Sequence, residues 1–598
     1  MIRRNIASLS LLGAFCMTLL SALPVHAAGP KEMLKLVPED AWGFVFLPSL
    51  EVVDQKASQL NDLLKLQLPA PVSPMVLGPP FNWGDSVDMK SPICIVVTDV
   101  QKAGMEAFAL IIPAKDPKAF LERVNAQEPQ EGVCKCMVMG MPSFAAVKDK
   151  FVILGQNQNV VSRVSKAKKS IGDGFGDTRL SALAKSDIFI SISVRTALAA
   201  YKDMIMGMLP MIQGAAGPAG ADLKQTVEMF MQMSALDFGF TFNNKEGFSV
   251  RMLLTPKEDS DLEKLMKDGK ESSDSLLSIL PGEKYLFAAG WTGGYSEYSE
   301  KFGGRDPITQ AAKNTEGINE KAAKAIDEEV RKLKKAATRL AVSASALPAG
   351  KSGMLGLTFV AETQDSGEFL KSLRKIYETY WSISDDEDFE TYKDALAHAK
   401  DAETIGGYKV DTITVVKMEP FAELFGFELG ENADSLRAVL GKDFMVRFGA
   451  VGDKHFVLSF GGGKERYEKI CKSITSSGGS LSEDKGIGKM AGRLPSPRSF
   501  EAYVAVDNIL QMFKTLAKLV EDEDIPVEIP KIDAPMAFSA AQLGSVMQAE
   551  MIVPVKLITG VKVFIDELEK AEMRAFDEEE DEEDEEDDIE MAEDEEEE

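Results

Sequence analysis

Histidine is almost absent from this chain. Its 598 residues hold three, His26, His398 and His455, so the constellations that use imidazole as metal ligand or proton carrier have little to be built from. Cysteine is nearly as scarce. Of five, Cys16 lies in the N-terminal apolar stretch, leaving Cys94, Cys134, Cys136 and Cys471, too few for a disulfide-built fold of this length. Cys134 and Cys136 share one face of a strand-like run. Without a neighbouring His or Cys they read as small buried hydrophobes, with a bridge to Cys94 left open, rather than as a zinc pair. Positive charge is also short: 67 Lys and Arg stand against 95 Asp and Glu, a formal charge of −28, which excludes the basic footprint of nucleic-acid binding. Beyond the first 28 residues no apolar run approaches the roughly 20 residues of a membrane span. His-Glu-x-x-His, Gly-x-Ser-x-Gly and a Cys, His and Asp set at nucleophile spacing are all missing. No catalytic residue can be named, no cofactor is expected, and the chain is read as non-enzymatic.

The two ends carry the clearest signals. Residues 1–27 place Arg3 and Arg4 before an apolar core, Ile6 to Leu23, and close on Val25-His26-Ala27. That order is a secretory signal peptide cut after Ala27, so the mature chain is expected to be exported, to the periplasm or the extracellular space. At the other end, nineteen of the twenty-two residues from Asp577 to Glu598 are acidic, and without them the formal charge falls from −28 to −9. Such a block repels itself and buries nothing, so 571–598 is expected to be a disordered acidic tail. Its first carboxylates, Asp577, Glu578, Glu579, Glu580 and Asp581, are candidates for weak Ca²⁺ binding or for a basic partner.

Between the ends the pattern repeats. Val37-Pro38 opens a turn, Gly43–Leu47 reads as a strand and Leu50–Leu64 as a helix; Leu280-Pro281 opens a second copy with the strand-like run Tyr285 to Ala289. Asp116 precedes Phe120 and Leu121 as a helix cap, and Asp365 stands in the same relation to Phe369 and Leu370. The run Ala146 to Leu154, with its Lys148-Asp149-Lys150 turn, is answered by Ala450 to Leu458. The expected architecture is α+β: a first half over 28–265 and a second over 276–570, each a mainly antiparallel sheet flanked by helices, with the seam in Lys257–Ser275. The residues Gln101–Gly104 are expected to form a hairpin turn. A helical insertion near 302–340 carries the apolar stripe Ala323, Ile326, Val330, Leu333 and Ala337, expected to rest on its own sheet, with a coiled-coil-like interaction helix as the alternative. An acidic loop at 384–390 is followed by a helical segment, Thr391 to Lys400, that holds His398. In this opening turn, strand and helix, Leu36 to Leu64, the chain resembles large exported bacterial proteins of unknown function that repeat an α+β unit in tandem. That resemblance implies the layout and no activity.

Two candidates for binding remain. Met204, Met208, Met211, Met229 and Met233 crowd two neighbouring helical segments and could line an apolar groove, since methionine suits adaptable apolar surfaces. Gly461-Gly462-Gly463-Lys464 has the position of a phosphate loop but lacks its glycine spacing and its Ser or Thr, and Glu465 follows, so it reads as a strand-to-helix turn. The leading function is an exported binding or scaffold protein with a protein or cell-envelope partner. The alternatives are a soluble carrier of an apolar ligand and a hydrolase with an unrecognised site.

Overall fold

The computed structural model describes residues 29–65, 83–202, 227–293, 320–348, 352–382, 393–418, 444–476, 478–520 and 527–571, with a few single positions between them. The expected signal peptide, the acidic block 384–390 and the tail from Asp577 lie outside the described residues, as do Met208 and Met211.

The fold mixes helix and strand around a large antiparallel sheet. In the first half the strands are β1 (Gly43–Leu47), β2 (Ile93–Val97), β3 (Phe108–Pro113), β4 (Cys134–Val138), β5 (Met141–Lys148), β6 (Phe151–Gly155), β7 (Ile188–Ile192), β8 (Met233–Asn243) and β9 (Gly247–Pro256). They lie in the order β4-β5-β6-β3-β2-β1-β7-β8-β9. The second half contributes β10 (Tyr285–Thr292), β11 (Ala337–Ala346), β12 (Leu355–Thr363), β13 (Leu396–Ile405), β14 (Tyr408–Val415), β15 (Met445–Val451), β16 (His455–Phe460), β17 (Phe500–Val504), β18 (Met536–Leu543) and β19 (Val546–Val553). Their order is β13-β14-β15-β16-β12-β11-β10-β17-β18-β19. The two series join edge to edge where β9 pairs antiparallel with β19, from Phe248 opposite Val553 to Leu254 opposite Met547. The junction thus turns two sheet edges, each an otherwise unpaired row of N–H and C=O groups, into interior strands.

Helices cover both faces. Ser49 caps α2 (Leu50–Leu64), its Oγ accepting from the Val52 N–H at 3.2 Å; α1 is the short Pro30–Leu34. Through Leu60 and Leu64, α2 packs on Ile188 and Phe242. The opposite face carries Phe44, Phe46, Cys94 and Phe189, under α1, α4 (Gln158–Ser165) and α5 (Asp177–Lys185). The Asp116 cap forms as expected over α3 (Pro117–Arg123), accepting from the Lys118 and Ala119 N–H groups at 2.9 and 3.3 Å. In the seam, α6 (Asp261–Asp268) buries Leu262 and Met266 against Val194, Met233 and Leu254.

Several local expectations are corrected. The expected hairpin forms, since β2 and β3 pair antiparallel, but its connection holds one helical turn, Val100–Ala103, capped by Asp99. The charged helix α7 runs over Glu320–Ala336 and β11 begins at Ala337 without a break. Its stripe finds a helix rather than only its own sheet: Ile326 and Val330 pack with Ile376 of α8 (Ser366–Trp381). The segment read as a helix around His398 is strand β13, paired with β14.

Candidate functional site

The residues that build a cleft in the first half are held by the opening turn. The Pro38 backbone bridges Ser170, the Ile171 N–H donates to the Val37 carbonyl at 2.9 Å, and the Glu39 N–H to that of Lys169 at 3.2 Å. Pro281 bridges Ser480 in the same way in the second half. Asp173 locks the loop by accepting from the Ser170 N–H at 3.0 Å and its Oγ at 2.9 Å, and these bonds hold its carboxyl below the ordinary aspartate range. On the first turn of α5, Arg179 reaches down to the sheet. Its Nε and Nη2 donate to Asp237 at 2.6 and 2.7 Å, a bidentate pair, and Nη2 also to Ser191 Oγ at 3.2 Å. The guanidinium stands 4.2 Å from the Phe175 ring centroid. Asp237 is 0 % exposed, so Arg179 is its required counter-charge.

Above this floor opens a cleft of about 530 Å³, lined among others by Lys169, Ser170, Arg179, Ser191, Ser193 and Arg195. An adjoining hollow of about 580 Å³ shares Lys169 and adds Arg163, Lys166 and Lys168. Arg163 pairs with Asp40. Among the described residues the exposed Lys169 and Arg195 side chains have no ion-pair partner. The lining also holds Glu39 and Asp173, and its serines already have partners, Ser170 with Asp173, Ser191 with Arg179 and Ser193 with Thr196; Lys169 and Arg195 are the groups left to meet an anion. Among the described residues no His or Cys lines either hollow.

The expected candidates fall elsewhere. Met233 is buried in the seam cluster, with Met229 partly buried beside it, while Met204 is 54 % exposed. The described methionines of that set therefore do not share one surface. The four described cysteines are free and buried. Burial pushes the Cys136 thiol up to about 11 and that of Cys471 up to about 12. The glycine run is a conformational device: Gly461, Gly462 and Gly463 have φ of 74°, 72° and 68° as the chain enters α9 (Gly463–Thr475). A Cβ on Gly462 would stand 2.5 Å from Arg466 Cδ, so the glycine clears a path for that arginine. Lys464 pairs with Glu403 at 3.1 Å instead of facing an open loop.

His398 does have a partner, thirteen residues away. Its Nε2 lies 3.2 Å from Asp411, which also accepts from Arg374 Nε and Nη2 at 2.8 and 2.6 Å and from the Asp401 N–H at 2.8 Å. Burial alone would raise the Asp411 carboxyl; Arg374, the Asp401 amide and His398 outweigh it and hold it low. The imidazole sits between Tyr377 and Phe448, at 4.7 and 5.7 Å. Asp411 is fully committed by these donors, which makes the cluster a sheet-to-helix fastener.

Sequence reading missed Arg179, Asp237, Lys169 and Arg195. One signal was available: Asp237 interrupts Leu236 and Phe238 on a strand position whose alternation places it inward, and a buried charge announces a partner. Nothing in the sequence says that the partner is Arg179. No family model and no curated protein matches the sequence. Two crystal forms of TP0453 are matched at 9 % and 10 % identity, each over 42 % of this chain and 91 % and 90 % of that one, with TM-scores of 0.22 and 0.21. A likeness this slight carries neither fold nor function.

Proposed function

We propose that this chain is an exported, non-enzymatic binding protein of the periplasm or cell surface, in which the long sheet is the framework and the first-half cleft receives an anionic, hydroxyl-bearing group of a cell-envelope partner. The observation that carries this reading is the pairing of a fixed Arg179 floor with Lys169 and Arg195, two cations without an ion-pair partner among the described residues, beside Ser191 and Ser193. Glu39 and Asp173 also line the cleft, but Asp173 is engaged by Ser170, and neither carboxylate forms an ion pair with Lys169 or Arg195 among the described residues. The same reading takes the two halves as descendants of one doubled unit, supported by the corresponding order of their strands and by the matched Pro38–Ser170 and Pro281–Ser480 bridges.

The test is calorimetric titration of the mature chain with inorganic phosphate and with a uronic-acid oligosaccharide. Saturable heat with at least one of the two is expected, weakened by added salt and lost in the Lys169→Ser/Arg195→Ser double variant. Equal binding by the native protein and the double variant, or none by the native protein, would overturn the reading.

A further inference from the structure

At the far edge of the same half, strands β4 and β5 present thioethers where a soluble protein ordinarily hides them. Met139 and Met141 are 44 % and 45 % exposed, and Met105, on the turn after β2, is 87 % exposed. The three line one hollow of about 260 Å³ whose wall is Ile95, Leu110 and Leu154. Gln156 Nε2 approaches Met141 Sδ at 3.6 Å.

The backbone supplies an independent observation. Val138 faces Met141, so Met139 and Gly140 are the two-residue loop of a hairpin, with φ of 55° and 74°. Such loops favour Asn or Asp before Gly, because a bulky side chain is strained at positive φ. Here the strained position holds a methionine that lines the hollow, and strain of this kind gathers at functional sites.

We infer that Met105, Met139 and Met141 form a site for a soft monovalent metal ion, Cu(I). Thioether sulfur is a poor ligand for hard cations and a good one for Cu(I). Among the described residues Glu106 is the one carboxylate of the lining, and it already accepts from Asn157 Nδ2 at 3.1 Å. Cys134 and Cys136 lie near in sequence but are both buried, Cys136 within a core cluster, and neither lines the hollow, so they are not part of the set.

The test is an anaerobic competition for Cu(I) between the full mature chain and the chelator bicinchoninate, with Ag(I) calorimetry as a redox-inert parallel. One ion per chain is expected, with sulfur-only scattering in X-ray absorption. Met139→Leu and Met141→Leu preserve apolar volume and should each weaken binding by roughly tenfold or more, as loss of even an outer-sphere partner can. Cys134→Ser/Cys136→Ser should leave it unchanged. Binding that survives the Met105→Leu/Met139→Leu/Met141→Leu variant, binding that disappears in the cysteine variant, or no Cu(I) retained by the native chain would each overturn the assignment. In the last case the patch is an apolar docking surface instead.

Discussion

Arg466 is the side chain whose loss the second half should feel most. It is 4 % exposed, and it spends its donors on three separate elements. Nε and Nη2 donate to Glu283 at 3.0 and 2.9 Å, in the turn before β10; Nη2 donates to Thr358 Oγ1 of β12 at 2.6 Å. Nη1 donates to the Leu357 carbonyl at 3.1 Å, and on β16 to Ser459 Oγ at 3.1 Å and the Phe460 carbonyl at 2.9 Å. Gly356 lets the guanidinium through, since a Cβ there would stand 2.8 Å from Arg466 Cζ. Arg466→Met keeps much of the stem volume and orphans Glu283 together with these buried oxygens. Breaking a buried pair from one side costs about 3–5 kcal/mol, which for a unit of this size is a fall in Tm on the order of 10 °C. Arg466→Lys restores the charge but not the planar fork, and should recover less than half of that loss. Differential scanning calorimetry of the three proteins reads the result. An Arg466→Met transition within about 2 °C of the native one would refute the reasoning, because the fork would then bear no structural load.

Three further outcomes follow from buried groups. Lys56 and Asp187, whose side chains are 6 % and 7 % exposed, pair at 3.3 Å, and Lys56 Nζ also donates to the Phe242 carbonyl at 2.8 Å; Lys56→Met should cost about 3–5 kcal/mol in urea unfolding, and adding Asp187→Leu should return a large part of it. The four described thiols should resist a thiol reagent at pH 8 until denaturant is added, since burial pushes each of them up; fast labelling of the native chain would contradict their placement. Burial alone would raise the Glu329 carboxyl, yet bonds from Lys332, Lys375 and Ser372 bring it down to about 2 from 4.5. A lowered folded value means that the contribution is complete above pH 4.5 and is lost as pH falls towards 2. With both lysines largely in solvent it amounts to about 1–2 kcal/mol. Native protein should therefore lose more stability than Glu329→Gln between pH 6 and pH 3, and equal losses would remove the lysine contacts from the account.

Elements with a cap and a one-sided apolar pattern were legible from sequence. The bounds of β1 and α2 follow from Pro38, Ser49 and the helical spacing of Leu50, Val53, Ala57, Leu60 and Leu64, because those signals are local. Strand β13 was hidden because Leu396–Ile405 is largely exposed, with Ala, Lys and Glu in place of an alternating apolar face. Its residues favour helix, and pairing with β14 overrides them. The end of α7 was misjudged for a related reason: Ala336 and Ala337 offer no glycine or proline to mark the change from helix to strand. The cleft was invisible because its groups come from separate segments. Arg179 and Asp237 are 58 residues apart, and only the strand order sets one above the other.

That order depends on β9 and β19. Asp237 faces Leu253 across β8 and β9, and Leu253 faces Gln548 across the junction, so the cleft floor is tied to the second half through two strands. Beside it Arg251 Nη2 donates to Glu550 at 2.7 Å. Facing positions in an antiparallel pair are close enough for a disulfide, and positions several residues out of register are not. Met252 and Ala549 face each other here. With both replaced by cysteine and the protein treated with diamide, an intramolecular bridge should form, seen by peptide mapping, while Met252→Cys/Val553→Cys should give none. A missing bridge in the first variant, or equal bridging in both, would contradict the continuous sheet.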